Sequence, residues 1–201
     1  MQASRTWAVI TDEGSKPEIW SRIAQTVAAL TRLKPVWNDR SILSSKIRLM
    51  CSLAISIFPY TCESRTLTAE LHRRIQAMDM RCYCKILCIL YKDHVTIEQV
   101  RDKTQQAIGA HEDLLTTVKR RKLQWYGHVS RSSGLAKTIL QGTVKGGRRQ
   151  GGQRKRWEDN IREWTGPGFG KSQRAVENRG KWRKLVAKSS VVSQRPSRLR
   201  N

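Results

Sequence analysis

Apolar residues recur at helical spacing through most of this chain, and strand propensity is confined to short pieces. Ile19, Ile23, Val27 and Leu30, with Ala24 and Ala28 beside them, predict a helix. Ser15-Lys16-Pro17-Glu18 supplies its start: a capping Ser, Pro in the first turn and Glu three residues after the Ser. Pro35 ends it near Leu33. Ser44 or Ser45 is the expected cap of a second helix. Ile47, Leu49, Met50, Leu53, Ala54, Ile57 and Phe58 make it apolar around most of its circumference, which predicts a central position; Pro59 closes it. Thr68 opens a third helix with Leu71, Ile75, Met78, Cys82 and Ile86 on one stripe.

Further along, Thr96-Ile97-Glu98-Gln99 reads as a capping box at the head of a short helix. Residues 111–131 predict a longer amphipathic helix whose apolar residues are Leu114, Leu115, Val118, Leu123, Trp125, Tyr126 and Val129. Leu135–Val144 fits a strand or a frayed helix, and the pattern does not separate the two. A short helix is expected over Arg156–Trp164, stopped by Gly166-Pro167-Gly168, and a last one over Ser172–Lys188. Trp7–Thr11 has strand propensity, before the turn residues Asp12-Glu13-Gly14. The fold class expected is therefore mainly α: a small helical bundle followed by a basic, partly disordered helical extension. The domains expected are an extended segment at 1–14, a helical domain at 15–131, the extension at 132–188 and a disordered tail at 189–201.

Charge changes this picture. The chain carries 39 Lys and Arg against 16 Asp and Glu, for a net charge of +23. Residues 1–100 contribute 14 against 9, and residues 101–201 contribute 25 against 7, so the second half holds +18. A positive field concentrated in this way implies a polyanionic partner, RNA or DNA. The basic segment lacks an interleaved bulky apolar face, which disfavours a membrane surface. The run from Lys145 to Trp157 has six cations, four glycines and no acid. Its backbone can approach a ladder of phosphates closely, though the same composition suits a basic linker that keeps the chain soluble. Lys119, Arg120, Arg121 and Lys122 form a second run; on a helix they fan around the axis, so only two or three can face one surface. With no apolar leader after Met1 and no span-length apolar run, an intracellular protein, nuclear or cytoplasmic, is expected.

Five cysteines, Cys51, Cys62, Cys82, Cys84 and Cys88, are expected as free buried thiols. Cys82, Cys84, Cys88 and His94 have the spacing Cys-x-Cys-x3-Cys-x5-His, which departs from the Cys-x2-4-Cys opening of zinc sites, and no metal or other cofactor is expected.

Several phrases occur together in order: Ile10-Thr11-Asp12 through Ile23, Tyr60-Thr61-Cys62-Glu63-Ser64, Met80-Arg81-Cys82-Tyr83, Arg121-Lys122-Leu123-Gln124-Trp125-Tyr126-Gly127-His128-Val129, and Gly147-Arg148-Arg149-Gln150-Gly151 running into Arg154-Lys155-Arg156-Trp157-Glu158-Asp159-Asn160-Ile161. The ordered set resembles the C-terminal, post-palm part of the reverse transcriptase polyprotein of LINE-type non-LTR retrotransposons. The resemblance covers nearly the whole chain. It implies a thumb-like helical bundle and a C-terminal extension that holds template RNA or target DNA. The family's Tyr-x-Asp-Asp polymerase motif does not occur in these residues, and its endonuclease domain is not among them, so no catalytic residue is expected. The resemblance also implies that the apolar helix at 47–58 packs against a palm or fingers.

The nucleic-acid contacts expected are Lys119, Arg120, Arg121, Lys122, Arg131, Lys145, Arg148, Arg149, Arg154, Lys155, Arg156 and Trp157. Trp125, Tyr126 and Trp157 are candidates to stack on unpaired bases, with core packing the favoured role for Trp125. Sequence specificity should be weak, because phosphate contacts position without reading bases. No small-molecule substrate is expected. The competing expectations are a decayed, translated fragment without evolved function, and a nuclease built on His128 with Glu158 or Asp159.

Overall fold

In the computed structural model, residues 15–39, 42–109, 112–141, 155–166 and 174–191 are described; the expected strand at Trp7–Thr11 lies outside them. The described residues are mainly helical and contain no strand. They pack as two compact units. One holds Ser15–Thr61 and Leu67–Leu115; the other holds Cys62–Thr66 and the described residues from Thr116 onward.

The first unit begins with α1 (Lys16–Arg32), which carries Pro17 in its first turn and buries Ile19, Thr26 and Leu30. Ser15 occupies the N-cap position in a helical backbone conformation and makes no side-chain cap bond, so the expected capping box does not form. Pro35 ends α1 as expected but starts another turn, α2 (Lys34–Asn38), for which its fixed φ is suited. That turn brings Trp37 back onto α1, where its Nε1 donates to the Leu30 carbonyl at 2.8 Å. The next helix, α3 (Leu43–Leu53), has Ile42 rather than a serine at its N-cap. It gives way to a 3-10 turn at Ile55–Ile57, so Phe58 does not continue an α-helical stripe. Ile47, Met50, Ala54 and Phe58 are nonetheless fully buried within the chain.

Thr68 caps α4 (Ala69–Ile86), its side chain accepting from the Leu71 N–H. The whole expected stripe, Leu71, Ile75, Met78, Cys82 and Ile86, is buried. In α5 (Ile97–Ile108) the expected capping box forms in both directions: Thr96 Oγ1 accepts from Gln99 N, and Gln99 Oε1 accepts from Thr96 N. Gly109, at φ 78°, ends the helix in a conformation that suits glycine. Helices α1, α3 and α5 pack on or around α4, and α3 also packs on α5, giving a small helical bundle.

The second unit is built on the part of α6 (Leu114–Arg131) that follows Leu115. The described part of the segment that fitted strand or frayed helix is helical, α7 (Leu135–Gln141), and residues 142–144 lie outside the described residues. Next comes α8 (Trp157–Thr165), stopped by Gly166 at φ 83°. The last expected helix is divided: one helical turn at 174–177 stops, and α9 (Arg179–Val191) starts afresh. Asn178 makes the break, because its Oδ1 accepts from Gly180 N at 3.0 Å and Lys181 N at 3.1 Å, the N-cap geometry for a new helix. α9 runs through Val191, past the expected tail boundary at Ser189. Leu123, Tyr126, Ile161, Val176, Trp182 and Val186 form the core, with Leu140, Trp157, Trp164 and Leu185 packed against it. No helix among the described residues is long and apolar enough to cross a membrane.

Candidate nucleic-acid interface

The second unit gathers the cations. α6 and α9 each contain five Lys or Arg and no Asp or Glu. On α6 the helical fan divides the run at 119–122 in two. Arg120 and Arg121 are exposed, whereas Lys119 and Lys122 are buried. These two lysines are therefore not surface contacts, contrary to the sequence expectation. Their positions lie on the face that carries Val118, Leu123 and Tyr126 into the core, where oxygens and indole rings receive them.

Lys122 shows how. Its Nζ donates to the Arg65 carbonyl at 2.6 Å and to Asn160 Oδ1 at 3.0 Å. It also lies 4.5 Å from the ring centre of Trp157 and 5.7 Å from that of Trp164. Two oxygens and two indole faces favour the ammonium form, because rings attract cations through their quadrupole. Burial disfavours it and, with the Lys155 charge, pushes the pKa down to about 7. Lys119 Nζ sits 5.5 Å from the Trp164 ring.

The remaining expected contacts divide by location. Arg131 is half-buried, its guanidinium donating to the Val176 carbonyl at 2.9 Å. Lys155 is held by Glu163 in an ion pair. Arg156 is exposed and precedes α8, where Asp159 Oδ2 accepts from its backbone N–H. Lys145, Arg148, Arg149 and Arg154 lie outside the described residues. Trp157 is half-buried and donates through Nε1 to the Glu63 carbonyl at 2.7 Å.

Among the other aromatics the expectation is reversed. Trp125 remains 37% exposed, touching Trp157 edge-on at 5.5 Å between ring centres. Tyr126, a candidate for base stacking, is buried against Trp182 and Trp157. Helical position decides this: residue 126 follows 123 by three on the core face, and 125 lies to its side.

Gly127 explains the contact between α6 and α9. A Cβ there would lie 2.1 Å from Trp182 Nε1, so only glycine admits the indole. Trp182 Nε1 then donates to the Leu123 carbonyl at 3.1 Å. Beside this contact is an open cavity of about 350 Å³ lined by Gln124, His128, Arg131, Arg179, Trp182 and Arg183. Sequence reading singles out Arg131 and His128 but misses the other four. The signal is present as two stripes of helical spacing, 124-127-128-131 and 179-182-183.

His128 is exposed in this cationic setting. Its expected partners are engaged elsewhere, Asp159 with the Arg156 backbone and Glu158 with Arg162 at 3.2 Å. Of the cysteines, only Cys62 and Cys82 are buried; Cys51 and Cys84 are partly exposed and Cys88 is exposed, so the expectation of buried thiols holds for two of five. Burial pushes both buried thiols up to about 12. Among the described residues, Cys82, Cys84, Cys88 and His94 do not form a group placed to hold a metal ion. Compared with known proteins, the chain matches no protein-family model, no curated protein and no solved structure.

Proposed function

We propose that this chain is a non-catalytic nucleic-acid-binding protein, a remnant of a LINE-type non-LTR reverse transcriptase that grips template RNA or target DNA through phosphates. The observation that carries the binding half of this reading is the exposed charge of two acid-free helices within one unit: Arg120 and Arg121 on α6, and Arg179, Lys181, Arg183, Lys184 and Lys188 on α9. Arg120, Arg121, Arg156, Arg179 and Arg183 are exposed there, and Trp125 offers a partly open ring beside them. Cations on a rigid helical frame replace condensed counterions along a phosphate backbone, so binding is salt-sensitive and weakly dependent on base sequence. Ancestry in the retroelement family rests on the ordered phrases alone.

The test is a salt titration on duplex and single-stranded oligonucleotides of RNA and DNA. If six to ten phosphates are covered, affinity falls roughly a thousandfold or more between about 50 and 200 mM salt. A flat titration overturns the proposal.

A further inference from the structure

The cavity between the stripes of α6 and α9 gathers its charge around a concave space of about 350 Å³. Gln124, His128 and Arg131 are spaced i, i+4 and i+7 on α6, and Arg179 and Arg183 are spaced i and i+4 on α9. Each stripe is clasped to the other by Trp182 over Gly127, which fixes the side chains around one space. Three arginines and an imidazole share that space, and among the described residues no carboxylate lines it. Like charges so arranged repel one another, and a fold gains from a bound anion that removes the repulsion.

We infer that this cavity receives a phosphate monoester carried on a nucleoside, either the phosphorylated end of a nucleic-acid strand or a free mononucleotide; the strand-end source rests on the nucleic-acid reading above. Three features select this ligand. A monoester carries close to two negative charges at neutral pH, against one for an internal phosphodiester, and the arginines supply planar, bidentate donors for its oxygens. The volume, about 350 Å³, sits at the small end of ligand sites, on the scale of one nucleotide. Gln124 adds an amide with both a donor and an acceptor, and Trp182 supplies an apolar wall, which are the groups a base needs beside its phosphate.

The experiment compares fluorescence anisotropy of one short single-stranded oligonucleotide in 5′-phosphate, 3′-phosphate and 5′-hydroxyl forms, with adenosine 5′-monophosphate measured separately by calorimetry. One phosphorylated end, or the mononucleotide, should bind about tenfold more tightly than its unphosphorylated counterpart, the size of a charge-assisted contact. The Arg179→Gln/Arg183→Gln double variant should abolish that difference; both residues are exposed, so the fold is kept. Lys188→Gln, on the same helix but away from the cavity, should preserve it. Strand ends that gain while the mononucleotide does not bind identify the strand as the source, and the reverse identifies the free nucleotide. Equal affinity with and without a terminal phosphate, together with no mononucleotide binding, overturns the inference. Salt-sensitive oligonucleotide binding in that outcome leaves the nucleic-acid reading standing. Absence of all oligonucleotide binding removes that reading, while the mononucleotide arm still decides for or against the cavity.

Discussion

At the scale of single residues, neighbours in one basic run have opposite roles. Arg120 and Arg121 point to solvent, and Lys122 is fully buried on two oxygens and two indole rings. Arg120→Gln with Arg121→Gln should leave stability within about 0.5 kcal/mol, since neither side chain is in the core. The pair should lower the slope of log affinity against log salt by about 0.9 per lost phosphate contact. Lys122→Met should do the reverse. It strands the Arg65 carbonyl and Asn160 Oδ1 in the core, which costs about 1–3 kcal/mol in urea unfolding, while the salt slope of the folded protein stays unchanged. If Lys122→Met changed the slope and the arginine pair did not, the burial argument would be wrong. Gly127→Ala is the sharpest steric case, because its new methyl would overlap the Trp182 indole. A loss of about 1–3 kcal/mol is expected, as for other overpacked contacts, with a red shift of tryptophan emission as Trp182 is displaced. Gly134 provides the tolerant control, because a methyl added there would meet nothing within 4 Å.

At the scale of elements, helix starts show what the amino-acid pattern conveys and where it stops. Thr68 and Thr96 both act as caps, each accepting the backbone N–H three positions on, and at Thr96 the Gln99 side chain returns the bond. Ser15, Ser44 and Ser45 have the same composition and do not act as caps, since the backbone enters those helices along other paths. The break at Asn178 is equally local, yet continuous mixed charge across Ser172–Lys188 conceals it. The resemblance calls for a partner such as a palm against the apolar helix after Leu43; Ile47, Met50, Ala54 and Phe58 are buried within the chain, while Leu53 stays 48% exposed. Arg120, Arg121 and Arg156 of the candidate interface are legible from their basic runs, whereas Arg179 and Arg183 are not, because they lie in the mixed charge of Ser172–Lys188. Burial of Lys119 and Lys122 is not, because the Lys122 site depends on Asn160 and the Arg65 carbonyl, far away in sequence. One element start has a stability consequence. Asp79, on α4, accepts the Leu114 N–H at the head of α6 through Oδ2 at 3.2 Å, and its Oδ1 has no hydrogen-bond partner among the described residues. Asp79→Asn keeps an acceptor for Leu114 and removes the buried charge, so it should raise stability at pH 8 by about 1–3 kcal/mol and leave it nearly unchanged at pH 4. Equal effects at both pH values would show that the carboxyl is not protonated in the fold.

At the scale of the whole molecule, the two packed units should respond to pH in opposite directions. Burial raises Asp79 from 3.8 to about 7, so the folded first unit holds a proton that the unfolded chain releases. Its stabilising effect is complete below about pH 4 and is lost as pH rises through about 7. Lys122 moves the other way, from 10.5 down to about 7. Above pH 7 the unfolded chain keeps a proton that the folded second unit gives up, so this unit gains stability as pH rises. The gain is cleanest up to about pH 8.5, before the Cys62 thiol, raised to about 12 by burial, begins to oppose it. Each slope is on the order of 1 kcal/mol per pH unit. Amide exchange, corrected for intrinsic rates, can follow the units separately through peptides covering α4 and the 116–131 part of α6. Protection of α4 should fall between pH 4 and 7, and protection of 116–131 should rise between pH 7 and 8.5. Falling net charge with pH strengthens both units at once, so the diagnosis lies in the variants. Asp79→Asn should flatten the first trend alone and Lys122→Met the second alone. Were both segments to change with the same sign in the wild type and in each variant, overall charge rather than these two buried groups would govern the stability of the molecule.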